Sequence, residues 1–213
     1  IFFFRLIAVV TGIVVAFGIR RVASRLWHQP EKARLLSLVY LAVPLHVLFV
    51  PITTDTPLFL FTFLCGASFA RGAVRDRSLP IFLAGIFLGL AVLSKYFAVL
   101  LVPGLLAWMI LYRRDRLLRW GLLLAAGAAP LIFLNLYWNY NDCWRNLMFN
   151  VVNRNKGQEI SLAGFGEFVL SQIYLATPWT VYLIVRHGRA MASGIRRDKN
   201  PFFLLSAVPL ALL

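Results

Sequence analysis

Residues 79–112 read LPIFLAGIFLGLAVL, then SKY, then FAVLLVPGLLAWMILY, and how the three middle residues are taken decides the topology of the whole chain. As one unbroken helix the stretch exceeds the roughly 20 residues that cross a bilayer core and leaves Lys95 near mid-depth. A lysine there costs roughly 2.5–3.5 kcal/mol on insertion scales. Two short helices reversed at Ser94-Lys95-Tyr96 bring the ammonium to an interface instead. The loop charges favour the same choice. With the reversal, segments 20–34, 71–78, 113–119 and 186–200 fall on one side and hold 17 Lys and Arg, against 5 on the other. Without it the split is 11 to 10. Cytoplasmic loops retain Lys and Arg, so the uneven count is the physical one.

The composition agrees with a membrane reading. Of 213 residues, 61% are hydrophobic and only 14% are charged, with a mean hydropathy of +0.78. Soluble domains carry about 25% charged residues. The net charge of +14 would suggest nucleic acid in a soluble protein. Here the basic residues sit in short clusters between apolar runs, with no interleaved aromatic platform for bases, so no nucleic-acid partner is expected. Eight apolar stretches stand out: Ile1–Ile19, Leu35–Ile52, Leu58–Ala70, Leu79–Leu93, Phe97–Tyr112, Trp120–Trp138, Phe168–Val185 and Pro201–Leu213. None alternates as a membrane strand does, and the expected fold is an all-α polytopic transmembrane bundle forming one domain over residues 1–213. The chain starts and stops inside apolar stretches, and it reads as a fragment cut at both ends.

By charge counting alone, three polar features share the side opposite the basic loops. They are Thr53-Thr54-Asp55-Thr56-Pro57, Ser94-Lys95-Tyr96, and a long stretch over residues 139–167 that includes Asn139, Asp142, Trp144 and Arg154. Within the last, Trp144, Leu147, Met148, Val151 and Val152 follow helical spacing. This predicts an amphipathic helix over about 143–153, lying flat at the interface. An acid, an amine and a polar loop on one face suit a negatively charged substrate. Each has a plainer reading: Asp55 could cap the next helix, Lys95 could snorkel to headgroups, and the flat helix could be a simple lid. No zinc, paired-cysteine, phosphate-loop or serine-elbow motif is present.

Phe4-Arg5-Leu6, then Thr54-Asp55-Thr56-Pro57-Leu58, then Gly85-x-x-x-Gly89-Leu90-Ala91-x-Leu93-Ser94-Lys95-Tyr96, and finally Tyr137-Trp138-Asn139 form an ordered series over roughly residues 4–185. The series resembles the bacterial polyprenyl-phosphate-sugar-dependent glycosyltransferases of GT-C type. These include protein mannosyltransferases, the lipid A aminoarabinose transferase and the lipopolysaccharide-core galacturonosyltransferases. The resemblance implies an enzyme of the inner membrane, active on its extracytoplasmic face. It would move a sugar from a polyprenyl phosphate to a lipid A or core sugar, a glycan or a protein. It makes Lys95 and Tyr96 candidates for the donor phosphate and Asp55 the second acidic position, able to orient the acceptor hydroxyl, hold a divalent metal ion or support a base. Asn139, Asp142, Trp144 and Arg154 become substrate-loop residues. Members carry their principal acidic residue in a first external loop upstream of the Arg5 helix, so the fragment alone is expected to be inactive. A secondary transporter, a lipid flippase and a non-catalytic scaffold are the rivals. A transporter would place ionisable groups near the midplane and show repeats, and neither is evident.

Overall fold

The computed structural model describes residues 2–27, 30–42 and 55–151, with residues 166 and 186 singly. Among these the chain is all helix and turn, an all-α membrane helix bundle. Helix α1 spans Phe2–Trp27, α2 Pro30–Ala42, α3 Asp55–Arg75 and α4 Ser78–Ser94. A 3₁₀ segment, Tyr96–Leu100, leads into α5 at Leu101–Tyr112. Helix α6 covers Leu117–Asn141 and the short α7 covers Arg145–Val151. Residues Thr56–Arg75 and Arg114–Asn141 are each long and apolar enough to cross a membrane, while Ser78–Ser94 and Tyr96–Tyr112 are shorter apolar helices. The apolar stretches expected over 168–185 and 201–213, most of 35–52, and Arg154 lie outside the described residues.

The chain breaks at Lys95 as the insertion cost requires. Lys95 is extended (φ −160°, ψ 130°), between the last α4 residue and the 3₁₀ turn. The break is a reversal, because α5 returns to the end where α4 began. Asp76, in the α3–α4 turn, pairs with Arg116 at 2.8 Å and Arg113 at 3.4 Å in the α5–α6 connection. Arg119 donates to Ser78 at 2.7 Å. Asp76 adopts a left-handed backbone (φ 49°), a conformation its short polar side chain tolerates. Two basic loops are thus tied together at one end of the bundle, around an acidic residue that the composition of those loops conceals.

Packing inside the bundle depends on close backbones and flat rings. Helix α4 lies between α3 and α6. A Cβ on Gly85 would strike the carbonyl oxygen of Leu124, and one on Gly127 would strike that of Phe82. Glycine at both positions therefore lets α4 and α6 touch main chain to main chain. In a bilayer, where the hydrophobic effect does not drive helices together, such contact supplies the dispersion energy that does. Near the basic end Phe69 meets Trp108 edge-on at 5.3 Å, and Trp108 stacks on Trp120 at 6.5 Å. The Arg113 guanidinium lies 5.1 Å from the Trp120 ring centre, a cation–π contact that anchors the clasp to the core.

Helix α5 sits differently. Its inner residues Leu105 and Met109 are buried, but it meets α6 along a short line only. Between them runs an apolar groove of about 380 Å³, lined by Val102 and Leu106 of α5 and by Ala125, Ala129, Phe133 and Leu136 of α6 among others.

Candidate functional site

The reversal at Lys95 gathers the polar residues at the end opposite the clasp. Helix α4 delivers Ser94, Lys95 and Tyr96 there, and α6, running the same way, delivers Asn135 and Asn139. Helix α3 runs antiparallel to α4, so Asp55, its first residue, belongs to this same end. The described parts of the three features that the loop charges assign to one side therefore share one end of the fold.

The hydroxyl of Tyr96 is the hub. It donates to Asn135 Oδ1 at 3.4 Å and accepts from Asn139 Nδ2 and Asn146 Nδ2, each at 3.2 Å. One donor and two acceptor positions are all that a phenol has. Asn139 Nδ2 also donates to the Asn135 backbone oxygen at 2.8 Å and to Asn135 Oδ1 at 3.1 Å. Asn139 is only 1% exposed, yet its own Oδ1 has no hydrogen-bond partner. An unpaired buried acceptor costs about 1–3 kcal/mol. Thr56 Oγ1, beside Asp55 in sequence, is a second buried oxygen with no partner.

Asn139 and its neighbours depart from the expected loop. Helix α6 continues to Asn141, so Asn139 occupies its last turns. Its contacts with Asn135 and Tyr96 keep the helix wound through a sequence polar enough to read as loop. The helix ends at a Schellman-type cap: Trp144 N–H donates to Asn139 O at 2.7 Å, with Cys143 and Trp144 both left-handed at φ 51° and 58°. Such caps usually place glycine in that conformation. The described part of the interfacial helix runs Arg145–Val151, starting two residues after the expected position 143, and residues 152–153 lie outside the described residues. Asp142 is half-buried and pairs with the exposed Arg145 at 3.6 Å. Tyr137, Trp138 and Tyr140 are exposed, and with Trp144 they give this end the aromatic belt of a membrane–water interface.

Asn135 and Asn146 belong to the cluster without having been singled out in the sequence. The i, i+4 spacing of Asn135 and Asn139 within an otherwise apolar helix was the available signal. Ser94 turns back to the Leu90 carbonyl at 2.8 Å and is structural. Among the described residues no group of three or more His, Cys, Asp or Glu is placed to hold a metal ion.

One end of the bundle thus gathers polar groups beside an apolar groove, an arrangement that suits an amphiphile. Comparison with known proteins narrows this. Residues 1–138 match the family described as dolichyl-phosphate-mannose-protein mannosyltransferase, and the chain belongs to that family. It is accordingly a membrane glycosyltransferase of the kind that draws on a polyprenyl-phosphate-linked sugar. No curated protein and no solved structure matches the chain.

Proposed function

We propose that the protein transfers a sugar from a polyprenyl-phosphate donor to an acceptor on the extracytoplasmic side of a bacterial inner membrane. The acceptor would be a lipid A or core sugar, a surface glycan or a protein. The observation that carries this reading is the junction of groove and cluster. The groove's lining on α6 ends at Leu136, next to Asn135, whose side chain is bonded to Tyr96. An amphiphile would lay its prenyl chain between α5 and α6, with its phosphate at the Lys95 turn.

In the reaction the bond from the sugar's anomeric carbon to phosphate oxygen breaks, and a bond to the acceptor hydroxyl oxygen forms. The acceptor's proton leaves to a base, and the polyprenyl phosphate departs with one further negative charge. Lys95 would stabilise that charge where it develops. Asp55 would orient the acceptor hydroxyl or support the base. Asp142, Trp144 and Arg154 would line the acceptor's approach. Tyr96, whose hydroxyl is already saturated, serves the phosphate by fixing the turn that carries Lys95.

Lys95→Met in the intact protein should lower transfer about 10²–10³-fold, the usual effect of removing one such donor, while membrane insertion is unchanged. Turnover equal to wild type would remove Lys95 from the mechanism.

A further inference from the structure

We infer that Asn139 reads a hydroxyl group of the transferred sugar through its amide oxygen, so that the Tyr96–Asn135–Asn139–Asn146 cluster is a sugar-specificity site. The inference rests on the proposed polyprenyl-phosphate donor. Three observations lead to it. First, the orientation of the Asn139 amide is fixed: Nδ2 faces the Asn135 backbone oxygen at 2.8 Å and Asn135 Oδ1 at 3.1 Å, and a flipped amide would set oxygen against both. Second, Asn135 Oδ1 and the Tyr96 hydroxyl both face Asn139 Nδ2 and hold that orientation, while Asn139 Oδ1 is buried without a partner. Third, Asn146 Nδ2, from the short α7, reaches the same Tyr96 hydroxyl at 3.2 Å. Asn146 therefore closes the cluster from the loop side and is the part a ligand displaces.

The chemistry of the orphan atom selects the ligand. A carboxamide oxygen only accepts, so it repels a phosphate oxygen and takes an O–H. Tyr96 follows Lys95 directly in the chain and touches Asn139. A sugar joined to a phosphate at Lys95 therefore brings its ring hydroxyls to Asn139. Lys95 takes the charge and Asn139 distinguishes the sugar.

The test measures the Kd of polyprenyl-phosphate mannose, glucose and galactose for the intact protein in lipid vesicles. The best of the three is then compared with its 2-, 3-, 4- and 6-deoxy forms. In the wild type, loss of one particular hydroxyl should weaken binding roughly 10–100-fold. In Asn139→Ala the same loss should cost less than about threefold, because the discriminating bond is already gone. Asn139→Ser, which keeps a short polar group facing Asn135, carries the same comparison should the alanine variant not reach the membrane. An equal penalty in wild type and variant overturns the inference, as does a wild type indifferent to every deoxygenation. A wild type that binds none of the three donors rejects the donor reading itself, a distinct result.

Discussion

The Tyr96 hydroxyl joins the 3₁₀ turn, α6 and α7 through a single oxygen. Tyr96→Phe keeps the ring and removes the hub, so that Asn135, Asn139 and Asn146 each lose one hydrogen bond. We expect a loss of about 1–3 kcal/mol, read as a lower thermal unfolding midpoint of the detergent-purified protein. An unchanged midpoint would mean that the amides re-pair among themselves. At this scale the sequence was partly legible. Lys95 and Tyr96 stood out because an amine inside an apolar run has a steep insertion cost. Asn139 also stood out, but as a loop residue: local polarity pointed to loop, and the bonds that tie it into the helix end, to Asn135 and to Tyr96 43 positions away, are not legible from that polarity. Asp76 gave no local signal, since one acid among arginines looks like any solvated turn.

Among the elements, α4 and α6 touch main chain to main chain, while α5 meets α6 through side chains such as Trp108 on Trp120. Gly85→Leu should prevent the α4–α6 approach, because the obstacle is the Leu124 carbonyl and not a side chain that can swing away. The expected outcome is loss of folded protein after detergent extraction, with insertion retained. Gly12→Ala and Gly121→Ala, where an added methyl meets nothing within 4 Å, should be neutral or slightly stabilising through better helix propensity. If Gly85→Leu behaves like these two, close backbone contact is not what joins the helices. The Gly85-x-x-x-Gly89 pattern was visible in the sequence, but its partner was not. Uniformly apolar helices carry no face that says which neighbour they meet, so packing is decided by shape alone.

For the molecule as a whole, the consequence of the reversal is a division of ends. With a membrane-impermeant maleimide on intact cells or spheroplasts, the native exposed Cys143 should label from outside. Cysteines introduced by Arg77→Cys and Asp115→Cys should label only once the membrane is opened. Buried Cys65 should stay dark in both cases. Labelling of Cys143 and the Arg77→Cys position from the same face would remove the reversal at Lys95, and with it the shared site.

The clasp at Asp76 also has a history within each molecule. Arg116 lies 40 residues after it, so while the protein is being made the α3–α4 turn enters the membrane boundary with its carboxylate unanswered. Helix α4 likewise waits in lipid with its glycine face bare until α6 emerges behind it. The polar cluster closes last, since Asn135, Asn139 and Asn146 are all later still. The nascent protein thus acquires the partners of its clasp first, those of its α4–α6 spine second and those of its polar cluster at the end, so a chain that stops before Asn135 carries both helices' glycine contacts begun but none of the Tyr96 hydrogen bonds.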